Sequence, residues 1–214
     1  MTLKPEAFVR ANTILATPAL VPEITLHLAS EITPIWQATE DWLRETNTQP
    51  PFWAFAWPGS IALARHILDH PHLVAGKRVL DFAAGGGLAA IAAHRAGATH
   101  VQAAEIDPIA VAAIALNAAQ NQAAIHPTFA DLVGQQCQWD LILCGDVCYE
   151  APMTNHILPW LKTMAQSATV WIADPGRTYA PKTGLTPFAT YIVPTTHELE
   201  DHPSRTVTLA LLAA

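Results

Sequence analysis

The sequence has few charged residues, no cluster of basic residues and no long apolar stretch. Of its 214 residues, 11 are Lys or Arg and 18 are Asp or Glu, which gives a formal net charge of −7. This balance argues against a nucleic-acid-binding surface. No run of about 18 or more apolar residues occurs, although 51% of the residues are hydrophobic, so no membrane-spanning helix is expected.

Cysteines are also scarce. Cys137, Cys144 and Cys148 are odd in number and show no C-x-x-C spacing, which predicts reduced thiols and a cytoplasmic protein. The first residues lack the charged start and apolar core of a signal peptide, so none is expected. The length suits one substantial hydrophobic core and is short for two domains. We therefore expect a single compact unit that acts as a monomer.

The most informative stretch is a short apolar strand followed by a glycine loop and a helix. Residues 78–87 read Arg-Val-Leu-Asp-Phe-Ala-Ala-Gly-Gly-Gly, and an alanine-rich helical run follows them. Glycines at a strand-to-helix turn let the backbone approach a ligand closely, and the free N–H groups at the helix start point towards it. Glu105 closes the next apolar run, where an acid can accept hydrogen bonds from ribose hydroxyls. The chain is therefore predicted to bind an adenosine-containing cofactor.

Two cofactor classes compete for this loop. Residues 85–90 fit the G-x-G-x-x-A pattern of dinucleotide-binding proteins. Asp81 weighs against that class, because a carboxylate just before the loop would repel a pyrophosphate. S-adenosylmethionine has no phosphate, and its ammonium group suits a carboxylate there through direct or water-mediated bonds. A purely structural turn, capped by Asp81, is the remaining alternative.

Strands alternate with helices from residue 77 onwards, which predicts an α/β fold with a parallel, doubly wound sheet. The predicted strands are residues 78–82, 100–105, 126–130, 139–144 and 169–173, and the predicted helices are residues 60–69, 87–95, 108–120 and 152–165. Two further strands, at 189–197 and 205–211, flank a turn-rich break and predict a terminal hairpin. Residues 22–28 fit a strand or a short helix, of which we favour the helix, and residues 32–44 are predicted as a helix. Residues 1–57 are thus expected to form a small helical cap on a domain that spans residues 58–214.

Four segments together resemble a known family. They are residues 51–59 (Pro-Phe-Trp-Ala-Phe-Ala-Trp-Pro-Gly), residues 79–87, residues 105–110 (Glu-Ile-Asp-Pro-Ile-Ala), and residues 145–149 (Gly-Asp-Val-Cys-Tyr) with the later Asp-Pro-Gly-Arg of 174–177. The order of parts resembles the seven-strand, Rossmann-like S-adenosylmethionine methyltransferases, in which one strand of the terminal pair runs antiparallel. Within that class, the chain from about residue 20 onwards resembles the family that includes the electron-transfer-flavoprotein β-subunit lysine methyltransferases, also labelled nicotinamide N-methyltransferase-like.

The resemblance implies a role for each candidate site residue. Glu105 would take the ribose hydroxyls and Asp131 the adenine amino group, while Asp146 and Tyr149 would line the pocket of the target lysine beside the transferring methyl group. Ala83 stands where the family commonly has the first glycine of its loop, and we expect it to be tolerated with a negative φ. The predicted cofactor-binding residues are Trp57, Asp81, Ala83, Gly85, Gly87, Glu105 and Asp131, the catalytic residues are Asp146 and Tyr149, and the substrate-binding residues are Trp53 and Arg177.

Asp146 presents a chemical conflict. Methyl transfer needs an uncharged amine, whereas a carboxylate attracts an ammonium and raises its pKa. We therefore assign Asp146 to orientation of the amine, with proton acceptance left open. Less specific interpretations also exist, in which Tyr149 and Trp53 fill the core and Arg177 is a solvated loop residue rather than a contact to an acidic feature of a partner.

The ten histidines do not predict a metal site. His66 and His70 are four residues apart on one predicted helix and His72 follows, but no H-E-x-x-H motif or third ligand accompanies them. We expect these histidines to lie on the surface. No G-x-S-x-G motif of a serine hydrolase occurs either.

The function predicted by resemblance is a protein-lysine N-methyltransferase that uses S-adenosylmethionine, with the electron transfer flavoprotein β subunit as the leading substrate. A small-molecule amine or heterocycle N-methyltransferase, with a nicotinamide-like substrate, is the alternative within the same fold. A nucleotide-dependent oxidoreductase is disfavoured by Asp81, and a cofactor-binding module without catalysis stays open.

Overall fold

The computed structural model describes residues 4–30, 50–195, 200 and 202–214. The helices are α1 (Pro5–Ala11), α2 (Pro58–Asp69), α3 (Leu88–Arg95), α4 (Pro108–Gln120) and α5 (Ala151–Met164), with single 3-10 turns at Phe52–Ala54 and Pro71–Leu73. The strands are β1 (Ile14–Ala16), β2 (Leu26–Leu28), β3 (Arg78–Phe82), β4 (His100–Glu105), β5 (His126–Phe129), β6 (Leu141–Gly145), β7 (Thr169–Asp174), β8 (Leu185–Pro194) and β9 (Ser204–Leu212).

A seven-stranded sheet in the order β5-β4-β3-β6-β7-β9-β8 forms the centre of the molecule. Strands β3 to β7 pair in parallel, and β9 runs antiparallel to both of its neighbours. This arrangement confirms the predicted α/β sheet with an antiparallel terminal hairpin. Because the parallel strands share one direction, their carboxyl ends meet at the same edge of the sheet.

Helices cover both faces of the sheet, as the apolar strand sequences require. Successive residues of β3 point to opposite faces, so Val79 joins one hydrophobic cluster and Leu80 the other. The first cluster contains residues of α2, α3 and α4, and the second contains residues of α5. Within the described part of the chain, no helix is long and apolar enough to cross a membrane.

The amino-terminal segment combines helix α1 with a small antiparallel hairpin of β1 and β2. The predicted helix over residues 22–28 is therefore wrong, because its second half is strand β2. The expected helical cap contains a hairpin as well as a helix. The other predicted helix of the cap, over residues 32–44, lies outside the described residues.

Two asparagines of α4 explain why this segment is extended. The Asn121 side chain accepts a hydrogen bond from the Thr25 N–H and donates one to the Thr25 carbonyl, at 3.1 and 2.6 Å. One turn earlier, the buried Asn117 accepts from the His27 N–H at 2.7 Å and donates to the Gly86 carbonyl at 2.9 Å. These bonds join β2 to the glycine loop, and they satisfy backbone groups that a local helix would otherwise pair internally.

The terminal hairpin begins earlier than predicted. Strand β8 starts at Leu185 rather than at residue 189, and residues 196–197 of the predicted strand lie outside the described part. Sequence analysis places the start of this strand too late, because Pro187 interrupts the hydrogen-bonded ladder and so argues against a strand at that position. The register shifts between Pro187 and Ala189, which is tolerated because β8 is an edge strand.

His66 is not a surface residue, so its predicted exposure is wrong. It is 6% exposed, and its Nδ1 lies 3.0 Å from the Tyr191 hydroxyl. Its ring contacts Trp171 and Phe188, with centroids 5.5 and 5.3 Å apart. The hairpin of β8 and β9 packs over this side of α2, which the spacing of histidines alone could not indicate. His72, in contrast, is exposed as predicted.

The amino-terminal end of α2 packs directly against the carboxyl ends of β6 and β7. A Cβ on Gly59 would lie 2.5 Å from the Ala173 carbonyl oxygen and 2.7 Å from the Asp146 nitrogen. A Cβ on Gly145 would lie 2.8 Å from the Ser60 hydroxyl oxygen. Only glycine allows this close approach of helix and strand, so the Trp-Pro-Gly segment is explained by packing.

We predict that Gly59→Ala destabilises the protein by about 3 kcal/mol or more, because the added methyl group overlaps backbone atoms that cannot move independently. Chemical denaturation measures this loss. Ser60→Ala, the next position of the same helix, is the matched control and should change the free energy of unfolding by less than about 1 kcal/mol. Equal effects of the two substitutions would contradict the packing argument.

Ala83 departs from its expected conformation. Its φ is +53°, so the expectation of a negative φ is wrong. The chain turns sharply from β3 into the glycine loop at this point, and the left-handed conformation is strained for a residue with a Cβ. The methyl group packs partly buried against the second hydrophobic cluster, which is how the position accommodates alanine.

Ala83→Gly should therefore raise the free energy of unfolding by about 0.5–1 kcal/mol, since the relief of backbone strain exceeds the added entropy of the unfolded chain. Ala84→Gly at the buried neighbouring position is the control and should lower stability by a similar amount. Thermal denaturation compares the two variants, and a loss of stability in both would show that Ala83 carries no strain.

Candidate active site

The predicted acids lie where the strands of the sheet end. Asp81 is the penultimate residue of β3, Glu105 is the last residue of β4, and Asp146 directly follows β6. Asp131 follows β5 by two residues, and Asp174 is the last residue of β7. The carboxyl edge of a parallel sheet is the usual ligand-binding edge, so the topology brings these separated acids to one rim.

Glu105 ties the end of β4 to the glycine loop. Its Oε1 accepts a hydrogen bond from the Gly85 N–H at 2.7 Å, and its Oε2 accepts from the Ile106 N–H at 3.1 Å. Burial raises the pKa of Glu105 to about 7, although both backbone hydrogen bonds act to lower it. The loop and the acid thus form one unit, in which the carboxylate still favours further hydrogen-bond donors.

Asp81 is the most buried of the acids, at 4% exposure. Its Oδ2 accepts from the Ala90 N–H in the first turn of α3, at 2.9 Å. Burial raises the pKa of Asp81 to about 8, and the charge of Glu105 adds to the shift. Neither acid forms an ion pair within the described part of the chain, so this corner of the rim would bind a cation or a set of donors favourably.

The glycine loop has a backbone conformation that favours glycine and packs against Trp53. Gly85 and Gly87 have φ values of +55° and +79°, which favour glycine. A Cβ on Gly86 would lie 3.0 Å from the Trp53 carbonyl oxygen. Trp53 is 2% exposed and packs with Val9 of α1 and with Ala110 and Ala113 of α4. We therefore interpret Trp53 as a support of the loop rather than as a substrate contact.

Asp131 is exposed and already paired. Its Oδ2 lies 2.8 Å from the His156 Nε2, and its Oδ1 accepts from the Val133 N–H at 2.9 Å. Slight burial acts to raise the pKa of Asp131, but the hydrogen bonds from Val133 and His156 outweigh it and lower the pKa below its usual value. The carboxylate is therefore ionised at neutral pH. Any other hydrogen-bond donor that approaches Asp131 competes with His156 for this carboxylate.

Asp146 lies at the centre of the contact between α2 and the sheet. It is 7% exposed and has a φ of +56°. Its Oδ2 accepts a hydrogen bond from the Gly59 N–H, and its Oδ1 accepts from the Arg177 Nη2 at 2.9 Å. Burial raises the pKa of Asp146 to about 6, against the charge of Arg177, which lowers it. Trp57 provides no side-chain cap for α2, so Asp146 caps this helix from across the site.

The Asp-Pro-Gly-Arg segment is a turn that directs Arg177 towards Asp146. The Asp174 Oδ1 accepts from the N–H groups of Gly176 and Arg177, both at 2.7 Å. The guanidinium of Arg177 also pairs with both carboxylate oxygens of the buried Glu200. Arg177 is therefore engaged inside the protein, and we no longer assign it to an acidic feature of a partner.

Three aromatic side chains form what we call the aromatic wall, namely Phe52, Trp57 and Tyr149, and the Trp57 ring lies 5.9 Å from the guanidinium carbon of Arg177, the ion-pair partner of Asp146. The ring centroid of Phe52 lies 5.2 Å from that of Tyr149 and 6.0 Å from that of Trp57. Phe52 and Tyr149 are 44% and 39% exposed, so Tyr149 is not a core tyrosine. Burial raises the pKa of Tyr149 to about 12, with further contributions from the charges of Glu150 and Glu105.

The sequence missed several residues of this site. Glu200, Phe52 and Asn117 all contact predicted site residues or the glycine loop. Phe52 lies within a segment that carries the resemblance, and Asn117 is a polar residue in an alanine-rich helix, so both gave some signal. Glu200 gave none, because it lies in a turn-rich break. Within the ranges that the structure describes, no cluster of three or more His, Cys, Asp or Glu residues could hold a metal ion.

Comparison with known proteins agrees with this geometry. A family model described as "Ribosomal protein L11 methyltransferase (PrmA)" matches residues 63–169. The electron transfer flavoprotein beta subunit lysine methyltransferase of Homo sapiens is 38% identical over 182 residues, which cover 82% of this chain and 68% of that protein. The homolog of that enzyme from Caenorhabditis elegans is 33% identical over 184 residues, with 78% and 74% covered.

A solved structure gives the same fold. The magnesium protoporphyrin IX methyltransferase from Synechocystis, crystallised with S-adenosylmethionine, matches with a TM-score of 0.52 at 18% identity, covering 86% of this chain and 100% of that chain. This likeness supports the fold, while the sequence identity to the lysine methyltransferases extends over more than two thirds of both chains. The chain therefore belongs to the family of the electron transfer flavoprotein β-subunit lysine methyltransferases, which are S-adenosylmethionine-dependent methyltransferases.

Proposed function

We propose that this chain is a protein-lysine N-methyltransferase that transfers methyl groups from S-adenosylmethionine to lysine side chains of the electron transfer flavoprotein β subunit. The observation that carries the chemistry is an exposed aromatic wall whose Trp57 ring lies 5.9 Å from the guanidinium carbon of Arg177, the residue that pairs with the carboxylate of Asp146. Such a surface suits a lysine, whose aliphatic stem packs on rings while its nitrogen points to the acid. The names of the relatives supply the identity of the substrate protein.

The cofactor fits the other corner of the rim. Asp81 and Glu105 are carboxylates whose burial raises their pKa, and the ammonium and ribose hydroxyls of S-adenosylmethionine are the cation and donors that would stabilise them. Asp131 remains our proposed partner of the adenine amino group, in competition with His156. When bound, the cofactor supplies an electrophilic methyl group, which only a nitrogen with a free lone pair accepts.

Within this proposal the protein contributes mainly positioning, which dominates the catalysis of an in-line displacement. Asp146 orients the incoming amine, and its own position is fixed by Gly59 and Arg177. Phe52 and Trp57 belong to the amino-terminal part, so we infer that residues 1–57 form the substrate-side segment and residues 58–214 the methyltransferase domain.

The cytoplasmic location and the monomeric state are also proposals. The three cysteines are free thiols, and Cys144 and Cys148 are buried, which suits a reducing compartment such as the cytoplasm. The monomeric state remains a prediction.

A small-molecule amine as substrate is disfavoured by the exposure of Phe52 and Tyr149, because small-ligand sites usually enclose most of the ligand.

Incubation of the protein with purified electron transfer flavoprotein and isotope-labelled S-adenosylmethionine should place labelled methyl groups on lysines of the β subunit. Peptide mass spectrometry locates them. Asp146→Asn should lower turnover by about 100-fold because the amine is no longer oriented, while the affinity for the cofactor changes only a few-fold. Asp140→Asn, at the opposite edge of the sheet, is the matched control and should leave turnover unchanged.

Unmodified flavoprotein lysines together with a methylated small amine would favour the small-molecule alternative. A loss of cofactor binding in Asp146→Asn would instead move Asp146 into the cofactor site.

The pH dependence of cofactor binding should follow Asp81. The pKa of Asp81 is about 8 in the cofactor-free protein and near its ordinary value in the unfolded chain, so the folded state retains a proton between roughly pH 4 and pH 8. The stability that this proton contributes is complete below pH 4 and is lost as the pH rises through about 8. A cationic cofactor requires the ionised acid, so its affinity should rise from pH 6 to pH 8.

Asp81→Asn mimics the protonated acid and tests both statements. It should be more stable than the unchanged protein at pH 8 without cofactor, and it should bind S-adenosylmethionine about 10-fold more weakly, the scale of a lost charge-assisted bond. Thermal denaturation and calorimetry at several pH values measure these effects, with Asp69→Asn on the far end of α2 as the control. Parallel pH profiles of the variant and the unchanged protein would contradict the assignment.

A further inference from the structure

Both carboxylate oxygens of Asp146 are occupied before any substrate arrives. One accepts the N–H of Gly59 and the other accepts the Nη2 of Arg177, at 2.9 Å. The side chain of Asp146 is 8% exposed and that of Arg177 is 21% exposed. A charged pair with so little solvent around it interacts strongly, so an incoming amine meets an acid that already has a counter-ion.

Arg177 is in turn held on three sides. Glu200, whose side chain is 2% exposed, binds the guanidinium of Arg177 through both of its carboxylate oxygens. Arg205 forms an ion pair with Glu200, with a nitrogen–oxygen distance of 2.7 Å. The guanidinium carbon lies 5.9 Å from the ring centroid of Trp57. The buried Nε of Arg177 has no partner among the described residues. The arrangement fixes the guanidinium against Asp146 and leaves it little freedom to follow a mobile partner.

Charge balance distinguishes the surroundings of Asp146 from those of Asp81 and Glu105. The guanidiniums of Arg177 and Arg205 and the carboxylates of Asp146 and Glu200 form one connected group. Because their charges cancel, the electrostatic field of Asp146 at the incoming amine is weak. The other titratable groups that face Asp146 or the wall are Asp174 at the end of β7, Cys148, Tyr149 and Glu150 after β6, and Glu105 after β4. Helix α2 contributes only the backbone N–H of Gly59.

A lone carboxylate at this position would hinder the reaction. An anion within contact distance stabilises the ammonium form of lysine and raises its pKa by about 1–3 units, whereas the reaction needs the lone pair of the uncharged amine. Neutralising the anion with a fixed cation removes that penalty and keeps the oxygen atoms available as hydrogen-bond acceptors.

We propose that Arg177, clamped by Glu200, is a positioning residue that neutralises Asp146, so that the pocket engages the target lysine as an uncharged amine. This inference rests on the proposed function, since it concerns the same site and an amine substrate. The lysine ammonium gives its proton to water at the open rim. The nitrogen lone pair then forms the N–C bond as the C–S bond breaks and its electron pair stays on sulfur. The methylated product leaves this step as an ammonium, which returns a proton to solvent.

The test is the pH profile of single turnover with both substrates saturating, which reports the titration of the bound amine. Arg177→Gln should move the midpoint of the profile to higher pH by about one unit or more, with a high-pH plateau within several-fold of the unchanged protein. Arg177→Lys retains a positive charge only below the pKa of its own ammonium, so it should move the midpoint in the same direction as Arg177→Gln but by less. Asp146→Asn should move the midpoint to lower pH, and the double variant should return it towards the original value.

Arg78→Gln is the matched control, because Arg78 forms an exposed ion pair with Asp140 at the other edge of the sheet. The midpoint of the pH profile should not move in this variant. A rate that falls equally at every pH in Arg177→Gln would overturn the inference and leave Arg177 a purely structural role. If Arg177→Gln does not fold, Asp146→Asn decides alone, since an unchanged or alkaline midpoint there also overturns it.

Failure of the proposed function has a different signature. If the unchanged protein leaves every flavoprotein lysine unmodified, the substrate assignment fails. The pH profiles are then measured on whichever amine the protein does methylate, and they test the role of Arg177 independently.

Discussion

The close contact between the start of α2 and the carboxyl ends of β6 and β7 determines the geometry of the active site. A Cβ on Gly59 would lie only 2.5 Å from both the Ala173 carbonyl oxygen and a carboxylate oxygen of Asp146. The helix start therefore lies on the strands themselves, and the Gly59 N–H donates a hydrogen bond to Asp146. Because Trp57 directly precedes this helix, the same contact fixes one end of the aromatic wall. Substrate-side and catalytic residues thus share a single packing constraint.

Several acids lie on one rim, and the protein stabilises Asp146 in a different way from Asp81 and Glu105. Asp146 receives an internal counter-ion in Arg177, together with a helix N–H. Asp81 and Glu105 receive only backbone N–H groups, and burial leaves their pKa values near 8 and 7. The uncompensated pair suits a ligand that brings its own positive charge and donors, whereas the compensated acid suits a substrate group that must lose its charge. The division of roles that we propose, with Asp81 and Glu105 for the cofactor and Asp146 for the amine, matches which of these acids pairs with a guanidinium.

Sequence patterns predicted the parallel sheet well, because β3, β4 and β7 are short, mainly apolar segments that alternate with helices. They failed where tertiary hydrogen bonds decide local structure, as in the segment of β2 that Asn117 and Asn121 hold extended. The acids at the strand ends could be predicted because topology alone brings them to one edge. The partner of Arg177 could not, because Glu200 lies 23 residues away in a break without periodicity. Resemblance indicated Arg177 itself but not the direction in which it points.

The choice of arginine at position 177 has a physical consequence for an amine-methylating site. A counter-ion that titrates in the same range as the substrate would lose its charge as the amine becomes reactive, and the acid would then regain its full field. A guanidinium stays protonated throughout that range, and its planar fork binds one carboxylate with two nitrogens while a third contact reaches another acid. Arg177 uses this geometry to join Glu200 and Asp146. Arg177 thus keeps its positive charge over the whole range in which the substrate amine titrates.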